Sequence, residues 1–255
     1  MLKIENTEVV GWEAAIRGMR NPMNSWAKSD SAWHPTENTF DEDDTPVTIA
    51  SGFRVGPNDL DLMKRLAKAG STDAKYRRMI NVTADVTAPL YWWKEYDTYK
   101  VGTVANSCST MHKIQAKEFT LGDFSCEHLI TEDEANELEG NDPNYMEEAC
   151  LSGGIDQDTQ EPIFLYPEDI LRQTVQMLNF CRELFLRTKD KRYWWQMIQL
   201  LPSSYNQRRT IQLNYEVLAA IYPKRKDHKL DEWHTFCDWI HSLPYSELIT
   251  GEEAK

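Results

Sequence analysis

A short mid-chain segment brings together side chains that can act as nucleophiles, hydrogen-bond donors or cations. Residues 106–113 read Asn106-Ser107-Cys108-Ser109-Thr110-Met111-His112-Lys113. A thiol, hydroxyls, an imidazole and an amine within eight residues suit a reactive or ligand-binding loop. The same pattern also fits an ordinary helix start, in which Ser109 or Thr110 caps the first turn. Both interpretations stay open at the level of sequence.

A basic cluster near the C-terminus is the second place where chemistry could sit. Residues 205–229 hold six Lys or Arg against two Asp or Glu. Within it, Lys224-Arg225-Lys226 follows a helical pattern that Pro223 is expected to interrupt. The Arg225 guanidinium could clamp a phosphate or the carbonyl edge of a pyrimidine through paired hydrogen bonds. The plainer alternative is a solvated basic turn.

Standard catalytic motifs are absent from the sequence. It contains no glycine-rich phosphate loop, dinucleotide fingerprint, zinc-protease helix or nucleophile elbow. Cys126 with His128, or Cys108 with His112, lacks the second close pair that a zinc site needs, so no metal is predicted.

Composition narrows the class of protein. The 255 residues include 41 acidic and 28 basic side chains, for a net charge of −13, which disfavours nucleic acid and anionic membranes as partners. Five widely spaced cysteines indicate reduced thiols rather than a disulfide framework. With no apolar run long enough to span a bilayer, we expect a soluble cytoplasmic protein.

The hydrophobic pattern predicts a mixture of helices and strands. Strands are expected at residues 2–10, 80–86 and 203–213, and a turn at 152–154. Helices are expected at 12–19, 58–69, 90–99, 131–138, 167–187, 214–221 and 230–240. Residues 24–48 and 100–110 are predicted to be loops. The acidic side chains concentrate at 118–169, where 16 of them occur without Lys or Arg. The base prediction is one α+β domain over residues 1–255, with an acidic insert at 118–169.

Two stretches of the chain resemble the flavin-dependent thymidylate synthases. The first comprises Leu62-Met63-Lys64-Arg65-Leu66-Ala67-Lys68-Ala69-Gly70, the strand at 80–86, and Ala88-Pro89-Leu90-Tyr91-Trp92-Trp93. These are similar to the helix, strand and Ala-Pro-aromatic helix before the family signature. The second comprises Leu201-Pro202, Tyr205, Asn214, Leu218, Arg225 and Asp231-Glu232-Trp233, which follow the order of the family's C-terminal pattern.

The signature itself is altered. The family's Arg-His-Arg falls on Thr98-Tyr99-Lys100, where only Lys100 keeps a positive charge. Its later serine falls on Cys108 or, with one inserted residue, on Ser109. The fold implied by the resemblance is nevertheless that of the family, an α+β domain with a mixed or antiparallel sheet flanked by long helices.

The resemblance also implies roles for particular residues. In the family, reduced FAD supplies a hydride, methylenetetrahydrofolate supplies one carbon to C5 of dUMP, and NADPH reduces the flavin. Arg225 and Lys100 would then polarise the pyrimidine. The remaining roles fall to Ser109, His112, Lys113 and Glu95 for the nucleotide, and to Asn214, His228, Tyr99 and Tyr91 for the flavin. The family is homotetrameric, and the tryptophan pairs at 92–93 and 194–195 are candidate interface residues.

Two alternatives remain. In one, Cys108 acts as a thiolate that adds to C6 of the pyrimidine, activated by Lys100 or His112. In the other, the pocket has lost its activity, and the chain is a nucleotide-binding or structural homo-oligomer. The altered signature favours this second alternative, whereas the basic cluster around Arg225 opposes it.

Overall fold

The computed structural model of the chain describes residues 1–40, 45–49, 51–139, 151–158 and 162–252. The acidic run at 41–44 and Cys150 lie outside the described residues. The helices are α1 Trp12–Arg20, α2 Pro57–Ala69, α3 Leu90–Tyr96, α4 Thr110–Lys113, α5 Glu132–Glu139, α6 Pro167–Thr188, α7 Lys191–Leu200, α8 Tyr215–Arg225, α9 Asp231–His241 and α10 Glu247–Thr250. Short 3-10 turns occur at Asn21–Met23, Trp26–Lys28, Lys75–Met79 and Leu121–Asp123.

Within the described residues, the strands form one main sheet and three small two-stranded sheets. They are β1 Lys3–Val10, β2 Ala32–His34, β3 Glu37–Phe40, β4 Pro46–Ile49, β5 Gly52–Arg54, β6 Asn81–Pro89, β7 Val104–Ser107, β8 Leu151–Ile155, β9 Pro162–Leu165 and β10 Asn206–Asn214. The main sheet has the order β1-β6-β10-β7. The pairs β2–β5, β3–β4 and β8–β9 are antiparallel. The α+β class predicted from the sequence is confirmed.

The chain divides into two compact units. The sheet unit comprises Leu2–Val86, Asp97–Asn106 and Arg209–Lys255, and the helical-hairpin unit comprises Met1, Thr87–Tyr96 and Ser107–Arg208. The prediction of a single domain over residues 1–255 with an acidic insert at 118–169 stays a prediction. Among the described residues, no helix is both long enough and apolar enough to cross a bilayer.

Alternating side chains explain why β6 lies at the centre of the sheet unit. Val82, Ala84 and Val86 are buried, while the intervening polar residues are only partly covered. Aromatic contacts extend this core, since the rings of Trp12 and Tyr215 meet edge to face with centroids 5.3 Å apart. The core therefore fixes the start of α8 against the sheet.

The helical-hairpin unit has its own core, beneath α6 and α7. The buried stripe of α6 is Leu171, Val175, Leu178 and Cys181, as the three-to-four-residue spacing predicts. It packs with Met197 of α7 and with buried side chains from the preceding segment, namely Ile114, Phe119 and Phe124. In α3, Trp92 and Trp93 are also buried, so both belong to the interior of the chain itself.

Several local predictions are wrong. Residues 24–48 are not one loop, because short strands form there by pairing with partners further along the chain. Strand β7 occupies part of the predicted loop at 100–110, and β8 replaces the predicted turn at 152–154. Helix α8 continues past Pro223 to Arg225. The proline comes late in α8, where the buried Leu218 and Ile221 hold the helix in place.

Candidate functional site

The Arg225 side chain is positioned by the whole length of α8. At the start of the helix, Asn214 acts as the N-cap, and its Oδ1 accepts a hydrogen bond of 3.0 Å from the Val217 N–H. Leu218 and Ile221 anchor the helix to the core. Arg225 is the last residue of the helix and is half-buried.

The guanidinium of Arg225 contacts two aromatic side chains. Its Nε donates a hydrogen bond of 2.7 Å to the Tyr99 hydroxyl. Its central carbon lies 4.4 Å from the ring centroid of Trp233 and 5.4 Å from that of Tyr99. Both distances are within the range of a cation–π contact. The bond at Nε together with the contact to the Trp233 ring fixes the plane of the cation.

Trp233 and His228 complete this site. Trp233, on α9, is fully buried, and its ring meets those of Tyr99 and His228 with centroids 6.2 Å away in each case. The Nδ1 of His228 accepts a hydrogen bond of 3.1 Å from the Leu230 N–H, so the ring proton is on Nε2. We call Tyr99, Arg225, His228 and Trp233 the Arg225 cluster.

The loop that carries Tyr99 is held close to the start of α8. Gly102 has a positive φ of 78°, and a Cβ there would lie 2.9 Å from Cγ2 of Val217, so only glycine fits this approach. The Thr103 hydroxyl donates to the Tyr99 carbonyl. Lys100, the next residue after Tyr99, is exposed. The loop therefore presents a fixed ring followed by an exposed amine.

The 107–113 segment of the helical-hairpin unit is exposed and is organised by local bonds. The Ser109 hydroxyl accepts a hydrogen bond of 3.0 Å from the His112 N–H, which makes Ser109 the N-cap of α4. The Cys108 N–H donates to the Arg208 carbonyl at 2.9 Å, and Cys108 is exposed. His112 and Lys113 lie on α4 and are exposed. The capped helix start, one of the two interpretations that the sequence left open, is therefore present, with Ser109 as the cap.

Two further predicted site residues, Tyr91 and Glu95, lie on α3 and are half-buried. The Tyr91 N–H donates a hydrogen bond of 3.0 Å to the Ser203 carbonyl. On the same helix, the indole N–H of Trp93 donates to the Gln207 carbonyl at 2.9 Å. Helix α3 is thereby tied to the start of β10 within the helical-hairpin unit.

The predicted site residues thus fall into two groups. Arg225, Tyr99 and His228 belong to the Arg225 cluster. Lys100 and Asn214 lie in the same sheet unit but outside that cluster. The other six belong to the helical-hairpin unit: Tyr91, Glu95, Cys108, Ser109, His112 and Lys113. Trp233 was not predicted as a site residue. An arginine followed eight residues later by a tryptophan near the start of a helix is the signal that could have found it.

Comparison with known proteins supports the fold resemblance. No protein-family sequence profile matches the chain, and no curated protein matches it in sequence. Among solved structures, it is similar to thymidylate synthase X (ThyX) from Helicobacter pylori with FAD and dUMP. The TM-score is 0.59 at 12% identity, with 98% of both chains covered. A second structure of that enzyme, complexed with FAD and dUMP, gives 0.59 at 13% identity.

A second type of enzyme shows the same likeness more weakly. The UMP/dUMP methylase PolB from Streptomyces cacaoi, bound with 5-Br UMP, has a TM-score of 0.52 at 10% identity, and 95% of this chain and 88% of that chain are covered. At such low identities the likeness shows the fold alone. The chain has a ThyX-like fold along nearly its whole length, as the sequence resemblance predicts.

Proposed function

We propose that the protein is a flavin-dependent methyltransferase of the thymidylate synthase type that acts on dUMP. The observation that carries this proposal is the Arg225 cluster, found in a chain with a ThyX-like fold. A planar cation held by a hydrogen bond to Tyr99 and by the ring of Trp233 suits a planar ligand whose edge carries carbonyl oxygens or a negative charge.

In this proposal, Arg225 binds the pyrimidine of dUMP and stabilises negative charge that develops on the ring. Lys100, the exposed residue next to Tyr99, is proposed as the second cation that stabilises the same charge. A donor that is fixed in advance, as the Arg225 guanidinium is, typically lowers the activation barrier by about 3–4 kcal/mol. Tyr99 and Trp233 position the guanidinium, so that little reorganisation is needed when the nucleotide binds.

The remaining nucleotide contacts are proposed from the helical-hairpin unit. Ser109, His112 and Lys113 would hold the phosphate, and Glu95 would contact the nucleotide. The side chains of Ser109, His112 and Lys113 are exposed, as a phosphate site requires. Because the family assembles its site from several subunits, we also propose a homotetramer in the cytoplasm.

The chemistry of the donors in the sheet unit fits a flavin. Asn214 and His228 each carry an N–H donor, at Nδ2 of the amide and at Nε2 of the imidazole. Both match the carbonyl oxygens of a flavin ring, and Tyr99 and Tyr91 would supply aromatic faces. Bound FAD, once reduced by NADPH, would supply the hydride that converts the carbon from methylenetetrahydrofolate into the methyl group of dTMP, with tetrahydrofolate and oxidised FAD as the other products.

The proposal is tested first by flavin binding and turnover. We expect the purified protein to carry or take up FAD, seen as blue-light absorbance, and to form dTMP from dUMP, methylenetetrahydrofolate and NADPH. Flavin binding without dTMP would favour a nucleotide-binding protein that has lost its activity. If neither FAD nor dUMP binds in calorimetry, the proposal is wrong.

The Cys108 alternative is tested in the same assay. Under the proposed mechanism Cys108 is not the nucleophile, so Cys108→Ser should keep most of the turnover. Loss of turnover with intact FAD and dUMP binding would instead favour a thiolate that adds to C6 of the pyrimidine.

A further inference from the structure

A separate cleft of about 650 Å³ lies in the sheet unit, between α1 and the β2–β5 strand pair. None of its lining residues belongs to the Arg225 cluster. They come from α1, from residues 21–31 and from the strand pair. This volume is typical of a small-molecule site, and the proposed dUMP chemistry does not use it.

Three aromatic side chains line the cleft. Trp33 and Phe53 are opposite each other in the β2–β5 pairing, with ring centroids 6.0 Å apart. Trp33 is 68% exposed and Trp26 is 50% exposed. Two exposed tryptophans that line one cleft offer faces for a planar ring, because stacking an aromatic ligand there would remove apolar surface from water.

The polar side chains of the same cleft include a cation, Arg17, which favours a negatively charged ligand. Arg17, on α1, is exposed and has no hydrogen-bond or ion-pair partner in the part of the chain that the structure describes. Glu13, one turn earlier on α1, accepts a long hydrogen bond of 3.4 Å from the Trp33 indole N–H. Asn21 and Ser29 also line the cleft. Since the Asn21 Oδ1 accepts from the Trp26 indole and the Ser29 hydroxyl donates to Asp59, Asn21 can donate through Nδ2 and Ser29 can accept through Oγ at the polar edge of a heterocycle.

A buried ion pair makes this wall rigid. Asp59 is fully buried, and its carboxylate accepts hydrogen bonds from Arg20 at 2.6 Å, Ser29 at 2.7 Å and the Ser31 hydroxyl at 2.6 Å. Arg20, Ser29 and Ser31 all line the cleft. The segment that carries Trp26 and leads to Trp33 is therefore fixed to α2 before any ligand arrives.

We propose that this cleft binds a planar heteroaromatic molecule that carries a carboxylate or phosphate. The ring stacks on Trp33 and Trp26, and the anionic group pairs with Arg17. The proposal goes beyond dUMP modification and uses none of its residues.

The test uses two fluorescent probes that share a ring, pterin-6-carboxylate and neutral pterin. We expect the wild-type protein to bind the carboxylate at least tenfold more tightly than pterin, measured by fluorescence quenching and calorimetry. Arg17→Gln should abolish this preference, whereas Arg187→Gln, an exposed arginine on α6, should preserve it. Equal binding of both probes by the wild type, or no binding of either, overturns the proposal.

Tryptophan variants locate the ring. Trp33→Ala should weaken pterin-6-carboxylate binding by about tenfold, as expected for the loss of one stacking face. Trp33→Phe should restore much of it, and this result also guards against collapse of the strand pair. Trp195→Ala removes a 43% exposed tryptophan on α7 and should have no effect. An equal loss in Trp33→Ala and Trp195→Ala would contradict the proposed site, and titrating the same variants with dUMP tests the Arg225 cluster separately.

Discussion

Two parts of the molecule carry the residues that sequence analysis selected, and they are built differently. The Arg225 cluster joins residues 126 positions apart through a hydrogen bond and two ring contacts. The 107–113 segment is exposed, and its serine forms a bond to a residue three positions away. A local cap accounts for Ser109 without any ligand. Arg225 is instead bonded to a side chain far away in the sequence, so its environment is the stronger indication of function.

The largest expected effect is on the free energy of unfolding, which a substitution in the Arg225 cluster should lower far more than one in the 107–113 segment. Trp233→Ala removes a fully buried indole beneath Arg225 and should lower the free energy of unfolding by about 3–5 kcal/mol. His112→Ala, at an exposed position on α4, should change it by less than about 0.5 kcal/mol. Urea denaturation measures both variants. Similar values for the two would show that the Arg225 cluster is not packed as described.

A second prediction concerns Asp59, a buried carboxylate on α2 that lies in the sheet unit but outside the Arg225 cluster. Burial alone would raise the pKa of Asp59, but hydrogen bonds from Ser31, Ser29, Arg20 and the Asp30 backbone outweigh it and hold the pKa below the ordinary value of 3.8. Since the folded-state pKa is lowered, the stabilisation is fully present above pH 3.8 and is lost as the pH falls through the folded-state pKa.

We therefore expect Asp59→Asn to cost about 2–3 kcal/mol near neutral pH, because bonds to a buried charge are lost. The gap between the two proteins should narrow as the pH falls below about 4. Unfolding free energies measured from pH 7 to pH 3 test this. A gap that is constant over the whole range would contradict the assigned charge state.

Ser109 offers a smaller effect that distinguishes a cap from a ligand contact. Ser109→Ala should cost about 1 kcal/mol of stability, the usual loss for an N-cap. Ser109→Asp keeps the cap but adds a negative charge, so stability should be retained while dUMP binds at least tenfold more weakly. Thermal unfolding and calorimetry measure the two properties. If Ser109→Asp leaves dUMP affinity unchanged, Ser109 caps α4 and does not hold the phosphate.

The differences between prediction and structure have physical causes. The apolar stripe of α6 is local and regular, so residues 167–187 were predicted within one residue of the observed end. Strands β2 and β5 have three residues each and form only because they pair with each other, which periodicity does not reveal. Likewise, the sequence shows an arginine at 225 and a tryptophan at 233, but it does not predict that their side chains form a cation–π contact.

The smallest expected effect is within the Arg225 cluster. Tyr99→Phe keeps the ring but removes the hydroxyl that accepts from Arg225 Nε. We expect a loss of about 1 kcal/mol in stability, and dUMP affinity only a few-fold weaker, since the guanidinium still lies against Trp233. Tyr245→Phe, which removes another tyrosine hydroxyl of the sheet unit that accepts from a backbone N–H, is the matched control and should leave dUMP affinity unchanged. An equal loss of dUMP affinity in both variants would contradict a specific role for Tyr99.

The most direct measurement is the dissociation constant of dUMP, by calorimetry in the presence of FAD, for the wild type, Arg225→Ala and Arg192→Ala. Arg192 is an arginine of α7 whose side chain is 84% exposed, and its removal should leave the dissociation constant of dUMP unchanged. Loss of Arg225 should weaken dUMP binding by about 10-fold to 100-fold, as expected for charge-assisted hydrogen bonds. A folded Arg225→Ala protein that binds dUMP as tightly as the wild type would contradict the assignment of the nucleotide site to the Arg225 cluster.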